Sequence, residues 1–173
     1  MTRLLVFLFL LFAGSASAQQ RDIFLELGGS GGIASINYEH FFKKCFFNHT
    51  DGSGDDGASP FRYSMRYGFS TTPVDKNNGW VLVFPTLMNL VYGNPQQPHR
   101  LEIGAGLAPS VTTKGSFYIK SPLFIGYRFQ PVEKKIFLRA GYTPIVGWLV
   151  DFQWQHWAGI SLGYNIGGNN ENK

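Results

Sequence analysis

Phe61-Arg62-Tyr63-Ser64-Met65-Arg66-Tyr67-Gly68-Phe69-Ser70 is the stretch that decides the fold. Its odd positions are large and apolar or aromatic, and its even positions are charged, polar or small. A strand sends successive side chains to opposite faces, so this segment has one apolar face and one polar face. The alternation returns along the chain, with arginine and glutamate kept to the polar side. That fixes the solvent each face meets, and it points to a barrel in a membrane.

Outward from this stretch, eight strands are predicted, at 21–29, 33–42, 61–70, 79–92, 99–109, 116–129, 135–144 and 156–166. Membrane strands need roughly 9–11 residues at about 45° tilt, and these lengths fit. Breaks rich in glycine and proline separate them. No long stretch has the 3.6-residue period of a helix. The strands also repeat in pairs. Odd ones share Leu25-Glu26-Leu27-Gly28, Met65-Arg66-Tyr67-Gly68, Leu101-Glu102-Ile103-Gly104 and Leu138-Arg139-Ala140-Gly141. Even ones close on Asn37-Tyr38-Glu39, Val91-Tyr92-Gly93, Gly126-Tyr127-Arg128 and Gly163-Tyr164-Asn165. A two-strand unit used repeatedly makes an up-and-down meander of hairpins. The repeat is also the reason to split 21–42 at its glycines; one long bent strand there, giving seven in all, is the alternative. In hydrocarbon an unpaired backbone group costs several kcal/mol, so the meander must close. Eight strands leave an interior that side chains fill. The expected fold is all-β: an eight-stranded antiparallel up-and-down transmembrane β-barrel, plugged rather than porin-like.

The outward set, from Leu25 and Leu27 to Ile160, Leu162 and Tyr164, holds no charge. The inward set holds Glu26, Asn37, Glu39, Arg66, Glu102, Lys120, Arg128 and Arg139. Buried charges are very costly unless paired, so these are expected to neutralise one another as a structural network. Glu26, Arg66, Glu102 and Arg139 occupy matched positions and alternate in sign, as an acid–base ring would. Tyr38, Tyr92, Tyr127 and Tyr164 end the even strands. With the N-terminus in the periplasm they form a periplasmic-side aromatic girdle, rings dry and hydroxyls wet.

Residues 1–18 read as an export signal: Arg3, then the apolar run 4–12, then Ala16-Ser17-Ala18 as the cleavage pattern, leaving Gln19 first. The run is too short to span a bilayer, which needs about 20 apolar residues. Cys45 lies far from the cleavage site and has no partner for a disulfide, being the one cysteine. Residues 19–166 form the barrel and 167–173 a polar tail. The excess of 15 Lys and Arg over 11 Asp and Glu is scattered, with no basic cluster for nucleic acid. Sixteen per cent aromatic content with 21 glycines suits short strands and tight turns.

Three chemistries bear on the remaining residues. Asp51-Gly52-Ser53-Gly54-Asp55-Asp56-Gly57 hints at calcium, but the sixth and twelfth places of a calcium loop hold Asp56 and Arg62 instead of Gly and Glu. It reads as a polar turn. His156 with Asp151 and a serine imitates a hydrolytic set, yet Ser161 lies deep in its strand. A pore is opposed by the bulky inward Phe24, Tyr118, Phe124 and Phe137. Trp148, Trp154 and Trp157 read as an interface anchor in the last outer connection. No catalytic residue, metal ligand or cofactor site is assigned.

Several phrases resemble a family of small outer-membrane β-barrel proteins common in Bacteroidetes-type bacteria. They are Glu26-Leu27-Gly28-Gly29-Ser30-Gly31-Gly32, Ser35-Ile36-Asn37-Tyr38-Glu39, Gly126-Tyr127-Arg128-Phe129-Gln130-Pro131, Leu138-Arg139-Ala140-Gly141-Tyr142-Thr143-Pro144 and Ala158-Gly159-Ile160-Ser161-Leu162-Gly163-Tyr164. The architecture is also similar to small OmpA/OmpX-type barrels. The resemblance implies an outer-membrane address and little about activity. With that address go outer-membrane lipid and lipopolysaccharide as surroundings, the barrel assembly machinery as partner, and a monomeric state. The chain departs from the pattern in ending on a polar tail and not on an aromatic residue. Two other readings stay open: a secreted lipocalin-like barrel binding a small apolar ligand, with charges outward, and a lipid A-modifying enzyme.

Overall fold

The computed structural model describes residues 20–42, 60–75, 79–94, 96–147 and 153–167. The export signal, Cys45, the acidic stretch 51–57, Trp148, Asp151 and the tail beyond Gly167 lie outside the described residues. The strands are β1 (Arg21–Leu27), β2 (Ala34–Phe41), β3 (Phe61–Asp75), β4 (Gly79–Val83), β5 (Thr86–Tyr92), β6 (His99–Thr112), β7 (Phe117–Phe129), β8 (Ile136–Gly147) and β9 (Gln153–Asn165). Every pairing is antiparallel between neighbours, and β1 pairs with β9, so the sheet closes.

β4 and β5 form one stave. Ser70 opposes Val83 and Tyr67 opposes Thr86, so the register runs unbroken across Phe84 and Pro85. Pro85 has no N–H, and the ladder lapses there without slipping. The closed barrel therefore has eight staves. Similar lapses flank Pro122 in β7 and Pro144 in β8, again with register kept on both sides.

Alternation then sorts the side chains. Leu25, Leu101, Ile125 and Ile160 stand exposed on the outside, while Phe24, Leu87, Val91, Phe124 and Phe137 are buried in the lumen. The lumen rings need room, and glycines supply it. The Phe124 ring lies where a Cβ on Gly126 or Gly141 would come within 2.4 Å, and the Phe137 ring blocks Gly163 at 2.2 Å.

Several boundaries differ from the sequence reading. The first hairpin is shorter than predicted: residues 28–33 leave the ladder, with Gly28 at φ 75°, Gly29 at 84° and Gly32 at 89°. A 3-10 turn, Gly29–Gly31, folds inward there, and it rules out a single bent strand. β3, β6 and β8 run past the predicted ends at Ser70, Pro109 and Pro144, and β9 starts before His156. Prolines 73, 109 and 144 read as stops, but a barrel strand tolerates a missing donor where its other ladder holds register, as at Pro109 and Pro144, or at an edge, as at Pro73, where the β3–β4 register shifts just beyond it.

Candidate functional site in the lumen

Parity brings acidic and basic side chains from distant strands into one cluster. Arg66 (β3) pairs with Glu26 (β1). Glu26 also meets Arg139 (β8) at 3.2 Å, and Arg139 meets Glu102 (β6) at 3.3 Å. Arg128 (β7) binds Glu102 at 2.8 Å, Glu39 (β2) at 2.9 Å and Asp22 (β1) at 2.8 Å. All these side chains are buried. The ring drawn from the four matched positions does not close. Arg66 and Glu102 make no pair, and Arg128 takes up Glu102 in place of Arg66. The result is a branched chain of charges whose hub is Arg128.

Neutral groups complete the cluster. Ser64 donates to Glu39 at 2.6 Å, and Asn89 donates to the same oxygen at 3.1 Å. Arg66 Nε donates to Asn37 at 3.0 Å, and Arg66 Nη2 to Ser30 in the inward turn at 2.9 Å. The guanidinium faces rest on rings: Arg128 lies 4.1 Å from the Phe137 centroid, and Arg139 4.3 Å from Phe24 and 4.7 Å from Phe124. Charge-assisted bonds and cation–π contacts together offset the loss of water around these ions.

Lys120 is inward but stands apart from the cluster. Its Nζ donates to Gln155 at 3.3 Å and lies 5.5 Å from the Tyr118 ring. Asp22, Asn89, Ser64, Arg100 and Gln130 are buried lumen residues that the sequence reading did not single out. Asp22 shares parity with Glu26, and Arg100 with Glu102, so extending the alternation to the strand ends would have found both.

Tyr92, Tyr127 and Tyr164 point outward, exposed, and Tyr38 outward and half-buried. Tyr38 and Tyr164 flank Ile23, and Tyr92 and Tyr127 flank Leu101, all at the end opposite the inward turn. The Tyr127 hydroxyl meets His99 Nδ1. Trp154 is outward, but Trp157 shares the inward parity of Gly159 and Ser161 and faces the lumen, so it is not an anchor in the membrane. His156 is outward, receives the Trp154 N–H at 3.3 Å and meets the Tyr142 hydroxyl. Ser161 lies on the opposite face of β9, so His156 and Ser161 do not come together. No group of three or more metal-binding side chains occurs among the described residues.

The architecture is similar to the N-terminal β-barrel domain of Pseudomonas aeruginosa OprF, at 14% identity and a TM-score of 0.53, over 86% of this chain and 96% of that one. It is also similar to Neisserial surface protein A (NspA), at 14% identity and a TM-score of 0.54, over 89% of this chain and 99% of that one. At such identity the likeness shows the fold. No known family profile matches the chain in sequence, and no curated protein does either.

Proposed function

We propose that the chain is an integral outer-membrane barrel, plugged by its own side chains, with a structural role in the bacterial envelope. One observation carries this reading. Among the described outward side chains of β2 to β9 there is no Asp, Glu, Lys or Arg, while the inward side chains hold the ionic cluster. A soluble lipocalin-type barrel needs the reverse. Mid-bilayer Lys or Arg on the lipid face costs about 2–4 kcal/mol, so hydrocarbon selects for such a surface. The likeness to the β-barrel domain of OprF and to a Neisserial surface protein supports the same address.

In this reading the tyrosines at 38, 92, 127 and 164 form the periplasmic girdle, and Trp80 and Trp154 stand at the outer interface. The ionic cluster braces the staves and occludes the lumen. Residues 1–18 direct export and are removed, and the assembly machinery inserts the barrel as a monomer among lipid and lipopolysaccharide. The phrases that resemble Bacteroidetes-type barrels favour that kind of host. The test is separation of inner and outer membranes after expression, followed by electrophoresis of unheated and heated samples. Recovery with the outer membrane and a heat-dependent mobility shift are expected. Recovery in the soluble periplasm, or a single mobility at all temperatures, overturns the proposal.

A further inference from the structure

Among the described residues, the outer half of the wall is incomplete. The last β1–β9 pair is Leu27 with Ile160, and the last β2–β3 pair is Ser35 with Ser70. β9 nevertheless runs on to Gln153 and β3 to Asp75, each with a partner strand on one side, β8 and β4. Above the low first hairpin the barrel therefore has a notch two staves wide, roughly 14 Å at three interstrand spacings. The inward turn is its floor: Gly28 and Gly29 pack against Ala158 and Gly159 on one side, and Gly31 against Ser70 on the other.

Behind the notch, above the floor, lies a cavity of about 130 Å³. Val81, Ala108, Ile145, Tyr118 and Trp157 give it largely apolar walls, and Lys120 and Gln155 are its main polar groups. A cavity of about 150 Å³ in another protein takes up benzene, so this one accepts a single alkyl segment and not the paired chains of a lipid. Lys120 makes no ion pair among the described residues, whereas Arg66, Arg128 and Arg139 each meet at least one carboxylate. A half-buried ammonium in an apolar cup attracts one monovalent anion.

Trp80 and Trp154 stand outward on β4 and β9, beside the two edges of the notch. Indoles favour the membrane–water interface, so the notch beneath them opens at acyl-chain depth in the outer leaflet. Strand edges do not face hydrocarbon bare, and something must cover them.

We infer that this cup binds one fatty-acid-like molecule, a carboxylate on a single alkyl chain, entering sideways through the notch. The carboxylate meets Lys120 and Gln155, a few carbons fill the space beside Val81 and Ile145, and the rest of the chain runs out along the open edges. The inference rests on the membrane address proposed above. The experiment separates the two. The barrel is first reconstituted into phosphatidylcholine vesicles and floated; failure to float with the vesicles overturns the membrane reading itself. Floating barrels are then titrated with a fluorescent polyene fatty acid and with the alcohol of the same chain. Saturable uptake of one acid per barrel is expected, about tenfold tighter than the alcohol. Lys120→Gln is expected to abolish that difference, and Ser110→Phe, a substitution at a buried residue of β6 that lines the cup, to fill it and weaken both. Should Ser110→Phe fail to fold, the acid–alcohol comparison on the unsubstituted barrel still decides. Equal affinity for acid and alcohol, uptake matching empty vesicles, or displacement by an alkyl phosphate but not by a fatty acid overturns the inference.

Discussion

Arg128 shows what one buried cation does in a barrel without a wholly apolar core. It holds Asp22, Glu39 and Glu102 at 2.8–2.9 Å and rests on the Phe137 ring. Removing it leaves Asp22 and Glu39 buried without an ion-pair partner, and breaking such a pair typically costs about 3–5 kcal/mol. Arg128→Met is expected to lower stability by that order, read as a lower urea midpoint for loss of the heat-shifted band. Arg66→Ala, which strips Glu26 of one of its two arginines, is expected to fall short of that. At Gly163 the constraint is steric, because an added Cβ meets the Phe137 ring at 2.2 Å and the Phe24 Cβ at 2.7 Å. Overpacking of this kind costs about 1–3 kcal/mol, and Gly163→Ala is expected to show it in the same urea assay. The charged residues of the cluster were legible in the sequence because parity puts them on one side, Arg21 at the start of β1 being on the other. The partners within the cluster were legible only in part: three neighbouring pairs of the matched four form, but barrel stagger decides which inward residues share a level, and Arg66 does not reach Glu102. So the sequence suggests Arg66 for Glu102, and the fold supplies Arg128.

At the scale of elements, the inward turn joins the charge cluster to the shape of the wall. Gly28 sits at φ 75°, and a Cβ there would come within 2.2 Å of the Ala158 carbonyl oxygen. With ψ at −168° this is a backbone region essentially confined to glycine, and holding another residue there costs about 1–3 kcal/mol. The backbone contact adds to that, because Ala158 belongs to β9 and cannot swing away. Gly28→Ala is expected to free the turn from the lumen, raising protease cleavage within residues 28–33 while the other hairpins stay protected. Equal protection in both proteins would show that the turn does not depend on this glycine. The glycine cluster marked a break in the sequence, but not its direction, since glycines permit an inward turn as readily as an outward one. The prolines misled for a related reason. Pro144 deletes one donor and reads as a stop, yet β8 continues through it on the strength of the β9 ladder.

For the whole molecule, closure and the apolar exterior are one property, because a sheet without edges can face hydrocarbon at every stave in its lower half. That much was readable from period-two alternation, since which face is apolar is a local pattern. The notch was not, because it depends on how far β3 and β9 outrun the first hairpin, and strand length past a proline has no local signature. The exterior makes a depth-dependent prediction. Ile160 lies midway along β9 between Trp154 and Tyr164 and is 62% exposed. Ile160→Arg in the bilayer centre is expected to cost about 2–4 kcal/mol, and Tyr164→Arg at the interface about 0–1. Urea titration of folding in phosphatidylcholine vesicles measures both. A barrel bathed in water would pay little at either position, since each side chain already faces solvent. Equal, small effects would therefore place water where hydrocarbon is inferred, and a steep difference would locate the middle of the membrane at Ile160.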